Sequence, residues 1–420
     1  MAAVTRIRRV LVRVTAALAV VACGVVFEAA PARADSIRDG EWWLSEYHLQ
    51  QAWSRSTGEG VTVAIIDSGV DGTHPDLEGA VVGGTDVSGI GSPDGQLGVG
   101  ADPVHGTLVA SVLAGRGHGR EHRFGIGEDG MVGVAPGASL LTISVAFGVA
   151  GLDTDAQLAE AVYWAVDHGA DVINMSLTRN NPDWPRSWDD AFLYAFEHDV
   201  VVVAAAGNRS SGTEQVGAPA TIPGVLTVAG LDESGEASQG ASSQGVTIGV
   251  SAPSERLLGA LPGGGYASWA GTSGAAPMVS GLAALIRSRY PSMDAENVIN
   301  RIISTATPKS ATEPDPIYGY GAINGTRALD EYVQPVTANP MGDLREWIRV
   351  YRRADADPQS ELPGRQPQTS GPSLGWVADS PTQRTPDPLP VVLVLIGFGA
   401  MFVVLLIGGT RHFWRIQRGG

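Results

Sequence analysis

The segment Val61–Val70, with the sequence VTVAIIDSGV, places a run of apolar residues directly before Asp67. Similar short apolar runs follow at Ser139–Val145, Val172–Met175, Val200–Ala206 and Val225–Ala229. Continuous apolar runs of this length are typical of parallel strands that are covered on both faces. Between them, helical patterns are predicted over Thr154–His168, Asp189–His198 and Ala275–Tyr290. The alternation predicts an α/β fold with a doubly wound, mostly parallel sheet and helices on both faces.

Polar residues follow several of these elements at places where such folds bind ligands. Asp67 ends the first predicted strand, and ligands of doubly wound sheets bind beyond the carboxyl ends of the strands. His105 opens an apolar helix that extends to about Ala114, and Ser273 begins another helix after Gly271. Amides at a helix N-terminus stabilise negative charge. Each of these residues, taken alone, would more often be a turn or helix-capping residue.

The three residues together form a catalytic set. A serine hydroxyl is a poor nucleophile until a base removes its proton, and the base needs a carboxylate to fix its tautomer. The order Asp67, His105, Ser273 is one of the few orders known for such triads. Asn208 follows the apolar run that ends at Gly207, so its amide is a candidate donor to the oxyanion of a tetrahedral intermediate.

These segments resemble the subtilisin family of serine peptidases over about Gly58–Leu329. The resemblance implies that Asp67 orients His105, that His105 is the base and that Ser273 is the nucleophile. It also implies that Asn208 and the Ser273 backbone amide bind the oxyanion. It further implies that the substrate backbone lies along Val145–Gly151 and Ser176–Thr178, and that Ala204–Gly207 forms the wall of the first specificity pocket. The individual substrate residues that it implies are Val145, Gly151, Ser176, Leu177, Thr178, Ala206 and Gly207.

Two positions depart from the family pattern. Thr178 and Arg179 occupy a site where many subtilisins have two glycines, so the substrate side-chain preference is not carried over. Gly274 stands where the family often has a larger residue, and we expect this difference to be tolerated.

Residues 1–34 read as an export signal. Arginines precede an apolar run from Val14 to Phe27, and Ala32–Ala34 offers a small-residue cleavage site before Asp35. A cut before Cys23, followed by lipidation, is the competing interpretation, and an uncleaved N-terminal anchor is a third. Each of them places the following residues outside the cytoplasm or at the membrane.

The C-terminal part carries a second membrane signal. Val391–Ile407 is a run of 17 uncharged residues, which predicts a transmembrane helix over 389–409, with a buried core helix as the alternative. Three arginines follow the run, so the tail 410–420 is predicted to be cytoplasmic. The remaining divisions are an N-terminal extension at 35–57, a peptidase domain at 58–333 and a Pro-rich linker at 334–388, with one short helix over Met341–Arg353.

Composition excludes several classes of function. Residues 35–388 carry 43 acidic and 20 basic side chains, so nucleic-acid binding is excluded. Cys23 is the only cysteine, which rules out disulfides and zinc ribbons. His118, His122 and the acids of Gly115–Gly130 are expected to lie in a solvated loop rather than at a metal. Three polar residues that closely follow Asp67 are interpreted as turn and cap positions: Asp71, His74 and Asp76. We expect no metal and no other cofactor.

The overall layout resembles the mycosins, which are membrane-anchored peptidases associated with type VII secretion in actinobacteria. The stretch Ile37–Trp53 is similar to their short N-terminal extension, and too few residues separate Asp35 from Asp67 for a foldable propeptide. The resulting hypothesis is a membrane-anchored, extracytoplasmic serine endopeptidase that cuts exported proteins. The alternative is a scaffold of a secretion complex whose peptidase activity is dispensable. A general scavenging protease is disfavoured by the predicted anchor.

Overall fold

A seven-stranded parallel sheet forms the centre of the computed structural model, which describes residues 36–121 and 125–352. The strands are β1 Thr62–Asp67, β2 Val81–Asp86, β3 Arg116–Glu121, β4 Gly127–Val132, β5 Ser139–Ser144, β6 Val172–Met175, β7 Val201–Ala205, β8 Leu226–Leu231, β9 Ile248–Pro253, β10 Leu257–Ala260 and β11 Tyr266–Trp269. The sheet order is β2-β5-β1-β6-β7-β8-β9, and every pairing in it is parallel.

The helices cover both faces of this sheet. They are α1 Ser36–Gly40, α2 Trp42–Glu46, α3 Leu49–Ala52, α4 His105–Ala114, α5 Thr154–Asp167, α6 Arg186–Glu197, α7 Thr272–Arg289, α8 Ala295–Ser304, α9 Gly325–Asp330 and α10 Leu344–Tyr351. One apolar cluster contains residues of α4 and α7, and the other contains residues of α5 and α6. The α/β fold with a doubly wound parallel sheet is therefore confirmed.

Within the seven-stranded sheet, β2 and β9 were not predicted, and neither were β10 and β11 outside it. The sequence of β2, VVGGTD, contains two glycines, and most of its residues are only partly buried. At Gly84 a Cβ atom would lie 2.2 Å from the carbonyl oxygen of Asp94 and 2.5 Å from that of Thr142. The glycine is required by close backbone approach, which gives no apolar signal in the sequence.

The prediction of a loop over Gly115–Gly130 is corrected by the structure. Strands β3 and β4 pair there as an antiparallel hairpin with register shifts. Arg38 of α1 donates to the backbone of this hairpin, with 3.0 Å between its Nε and the carbonyl oxygen of Gly130. Irregular register and many glycines hide the alternation by which hairpins are normally recognised.

The N-terminal extension is part of the core. Trp43 is completely buried, and the indole Nε1 of Trp53 donates to the carbonyl oxygen of Val134 at 2.9 Å. Helix α1 packs against β4, and α3 packs against α9. The described part of the extension is therefore built into the domain.

The first part of the predicted linker also packs on the domain. In α10, Leu344 is buried, and the ring of Trp347 lies 4.4 Å from that of Trp184, centroid to centroid. Arg352 donates to Asp189 of α6 at 2.9 Å and lies over both tryptophan rings. Residues 334–352 are thus a strap rather than an extended tether, because a few apolar side chains dock them.

Both predicted membrane signals lie outside the described residues, as does the rest of the linker. Within 36–121 and 125–352, none of the helices combines the length and the apolar character needed to cross a membrane.

Candidate active site

Four sequence-predicted residues come together at one edge of the sheet. Asp67 ends β1 in the middle of the sheet, and Asn208 follows β7. His105 is the first residue of α4, and Ser273 is the second residue of α7. All four are buried, with 2% to 7% of their surface exposed. They line one shared cleft.

Asp67 holds the ring of His105. The Nδ1 atom of His105 lies 2.8 Å from Oδ1 and 3.0 Å from Oδ2 of Asp67. The Ser68 amide donates to Asp67 at 2.7 Å, and the Ser68 hydroxyl accepts from the Gly106 amide at 3.0 Å. The end of β1 is thereby bonded to the start of α4 at two places, through the carboxylate of Asp67 and through the hydroxyl of Ser68. With its proton on Nδ1, the imidazole has Nε2 available as the basic nitrogen.

The amide of Asn208 has a defined orientation. Its Oδ1 accepts from the Thr272 amide at 2.8 Å and from the Thr272 hydroxyl at 3.0 Å. That hydroxyl in turn accepts from the Gly207 amide at 3.0 Å. Because Oδ1 faces the start of α7, the Nδ2 group is the end that can donate to a substrate oxygen.

Ser273 lies where α7 begins. Gly271, with φ of 148°, precedes the helix in a conformation that favours glycine. The Ser273 hydroxyl donates to the carbonyl oxygen of Ser176 at 3.1 Å. The ring of Trp269 meets that of His105 edge to face, at 5.8 Å between centroids. Gly274 lets this ring and Leu257 approach the helix, since a Cβ there would lie 2.2 Å from Leu257 Cδ1.

The cleft includes only part of the predicted substrate segment. Ser176, Leu177, Thr178 and Gly207 line it, and so does Phe147 within the predicted Val145–Gly151 stretch. Val145, Gly151 and Ala206 do not line it. Val145 is buried with its amide bonded to the carbonyl oxygen of Asp67 at 2.8 Å, Ala206 is fully buried, and Gly151 is exposed.

Sequence reasoning missed three lining residues: Ser68, Asp102 and Thr272. Each stands within three positions of a predicted catalytic residue. Proximity in sequence was the signal that could have identified them.

Arg179, one of the two departures from the family pattern, points away from the cleft. Its guanidinium donates to both carboxylate oxygens of Asp155 at 2.9 Å and lies over the ring of Trp188. Burial raises the pKa of Asp155 above its usual value, although the charge of Arg179 acts in the opposite direction. Thr178 is therefore the departure that lines the cleft.

Asp71 holds the turn between β10 and β11. Its carboxylate accepts from the Gly263 amide at 2.7 Å and from the Thr73 hydroxyl at 2.6 Å. Burial acts to raise the pKa of Asp71, but these hydrogen bonds, the Thr73 amide and the nearby His74 outweigh it, so the pKa is lowered. The predicted turn role of Asp71 thus extends to anchoring the β10–β11 turn.

Asp76 has more contacts than the turn or cap position expected from the sequence. It is fully buried and accepts from His118 Nδ1 at 2.6 Å, from the Met131 amide and from the Tyr266 hydroxyl, both at 2.8 Å. His74 does cap the following turn, since its Nδ1 accepts from the Asp76 amide. His118 therefore binds a carboxylate that fixes the β3–β4 hairpin.

Comparison with known proteins agrees with this geometry. Residues 58–321, more than half of the chain, match the family model described as Peptidase S8, the subtilase family. The chain belongs to the subtilase family. Subtilisin DY of Bacillus licheniformis is 38% identical over 271 residues, which cover 64% of this subtilase and 90% of that protein. The family consists of subtilisin-like serine peptidases, as the sequence predicted.

Two other relatives differ in how much of their length is matched. Fervidolysin of Fervidobacterium pennivorans is 34% identical over 67% of this subtilase, which spans only 42% of fervidolysin. The fervidolysin crystal structure has a TM-score of 0.63 at 31% identity, with 73% of this chain and 48% of that chain covered. The MycP3 protease from the type VII (ESX-3) secretion system has a TM-score of 0.57 at 31% identity, with 69% and 87% covered.

Proposed function

We propose that this subtilase is a serine endopeptidase in which Ser273 attacks the carbonyl carbon of a peptide bond. His105 Nε2 takes the Ser273 hydroxyl proton and then gives it to the leaving amine, whose departure leaves an acyl-enzyme. Asp67 keeps the Nδ1 proton in place and stabilises the charged imidazolium. Water then hydrolyses the ester, with His105 acting again as the base. The observation that carries the proposal is the 2.8 Å bond between His105 and Asp67 in the cleft that holds Ser273.

The oxyanion of each tetrahedral intermediate would be bound by two donors. One is Asn208 Nδ2, because its Oδ1 is already used by Thr272. The other is the backbone amide of Ser273 at the start of α7, where the helix dipole also favours negative charge.

The test is covalent labelling of the full chain with a fluorophosphonate, which reacts with activated serines. We expect the wild type to be labelled, Ser273→Ala to remain unlabelled and Asp67→Asn to react far more slowly. Ser288→Ala, a serine at the other end of the same helix, serves as the matched control and should label like the wild type. A folded wild type that is not labelled would overturn the proposal.

We further propose that the enzyme acts outside the cytoplasm, anchored in the cell membrane by residues 389–409, and that its substrates are exported proteins. The support is the export-signal pattern at 1–34, the uncharged run Val391–Ile407 and the arginines that follow it. Similarity to MycP3, a protease from a type VII secretion system, supports a link with such a system. These features favour restricted processing over general degradation.

Location and partnership need separate measurements. Alkaline carbonate extraction should leave the full chain in the membrane fraction but release a chain that ends at Pro388. Externally added protease should reach the domain in intact cells. For the secretion link, secreted proteins of wild-type and Ser273→Ala cells are compared. If Ser273→Ala cells lack one processed product, the peptidase role is supported. If their processing is unchanged and secretion is lost only when the whole gene is deleted, the scaffold alternative is supported.

A further inference from the structure

A buried polar network beside the cleft has no part in the proton transfers described above. It joins Asn174 of β6, Ser176 just after that strand and Ser280 of α7. All three residues are buried. We propose that Asn174 and Ser280 are positioning residues for Ser273, acting through the Ser176 hydroxyl. The inference rests on the proposed role of Ser273 as the nucleophile.

The network compensates for a hydrogen bond that the helix cannot make. In an α-helix the carbonyl of one residue accepts from the N–H four residues later. For Ser273 that residue is Pro277, which has no N–H. The Ser176 hydroxyl donates to the Ser273 carbonyl instead, at 2.8 Å. The first turn of α7 is therefore held by a side chain from the neighbouring strand end.

The direction of every bond in the network is fixed. The Ser176 hydroxyl has a single proton, which it gives to Ser273, so it must accept from Asn174 Nδ2 at 3.0 Å. The other end of the same amide, Asn174 Oδ1, accepts from the Ser280 hydroxyl at 2.9 Å. The chain of bonds starts at Ser280 and returns to Ser273 on the same helix.

This arrangement sets the position of the nucleophile relative to its partners. Ser176 contacts Ser273 twice, because its carbonyl oxygen also accepts the Ser273 hydroxyl at 3.1 Å. Donors to an oxyanion are effective over only a few tenths of an ångström, so a small shift of the first turn of α7 weakens catalysis. Substrate binding is affected less, because Thr178 in the wall of the cleft is held separately. The backbone amide of the next residue, Arg179, donates to the carbonyl oxygen of Ala218 at 2.7 Å.

The test uses the full chain with Asn174→Leu, which has a similar volume and no hydrogen-bonding group, and with the milder Ser280→Ala. We expect Asn174→Leu to lower kcat about 10- to 100-fold with KM changed less than about threefold. Ser280→Ala should lower kcat by about two- to tenfold, because Ser176 remains bonded to Asn174. Ser280→Thr keeps the donor and should restore activity, and Ser288→Ala should have no effect.

A second substitution separates positioning from packing. Pro277→Ala restores an N–H opposite the Ser273 carbonyl, so the network is no longer needed there. In that background, Asn174→Leu should lower kcat by less than about threefold. A network that only fills space would give the same loss in both backgrounds. Urea unfolding midpoints measured on the same proteins show that each variant is folded.

Each outcome is decisive. A folded Asn174→Leu or Ser280→Ala variant with unchanged kcat overturns the inference, and so does an equal loss in the Pro277→Ala background. If the wild type is not labelled at Ser273 by a fluorophosphonate, the proposed function itself fails and the inference with it. If the wild type is labelled and the variants are labelled as fast, only the inference fails.

Discussion

Replacement of Leu344 by alanine tests whether the strap belongs to the domain. Leu344 is 2% exposed, whereas Val350 on the same helix α10 is 48% exposed. A buried Leu→Ala change costs about 2–5 kcal/mol of unfolding free energy. Because the strap lies on the surface and can partly close over the gap, we expect about 2–3 kcal/mol for Leu344→Ala. Val350→Ala should cost less than about 0.5 kcal/mol.

The assay is urea unfolding followed by tryptophan fluorescence. Both substitutions are made in a Ser273→Ala background, so that self-digestion cannot distort the curves. Trp184 and Trp347 pack against each other where the strap meets the domain, so the fluorescence also reports detachment of the strap. We expect a lower midpoint for Leu344→Ala and an unchanged one for Val350→Ala. Equal midpoints for the parent and both variants would refute the reasoning and return residues 334–352 to the linker.

Three further substitutions test the oxyanion donor, the packing behind Thr178 and the β10–β11 turn. Asn208→Ala should lower kcat about 10²- to 10³-fold with little change in KM, as steady-state kinetics would measure, because its donor acts on the oxyanion; a rise in KM alone would contradict this. Gly217→Ala places a Cβ 1.8 Å from the Arg179 carbonyl oxygen, so kcat/KM should fall about tenfold or more. Gly240→Ala is the control, because its Cβ would lie 3.8 Å from the nearest atom, and it should leave kcat/KM unchanged. Asp71→Asn should destabilise the protein above about pH 4 but not well below that pH. The reason is that the pKa of Asp71 is lowered in the folded state, so the stability contributed by its carboxylate is lost as the pH falls through that pKa. A difference in urea midpoint between wild type and variant that persists at low pH would contradict this role of the carboxylate.

Sequence reasoning located the candidate catalytic residues because each belongs to a short segment whose geometry is local. Asp67 ends a buried strand, Asn208 follows another, and His105 and Ser273 lie in the first turns of helices. The carboxyl ends of parallel strands lie at one edge of a sheet, so the convergence of side chains at those ends can be predicted without knowledge of distant contacts. The same logic gave the class of the fold and the helices on both faces.

The elements that escaped prediction depend on contacts between distant residues. Ser176 meets Ser273 across 97 positions, and Ser280 meets Asn174 across 106. Serine and asparagine are common in any part of a chain, so no pattern marks these as partners. The strap was obscured in a similar way, because its proline- and glutamine-rich surroundings dominate the composition although two side chains, Leu344 and Trp347, decide the docking.

The departure at positions 178 and 179 shows how a family pattern can change without closing the cleft. Two side chains replace two glycines, yet the larger one is drawn outward by Asp155 and Trp188. Only Thr178 remains at the cleft, where its hydroxyl bonds to the Arg179 carbonyl at 3.0 Å and abuts Gly217. Since the backbone of Gly217 closes on both residues, a side chain at 217 would push Thr178 into the space for substrate. Differences in substrate preference from other subtilases should therefore be sought first at Thr178, with Gly217 as the residue that holds it in place.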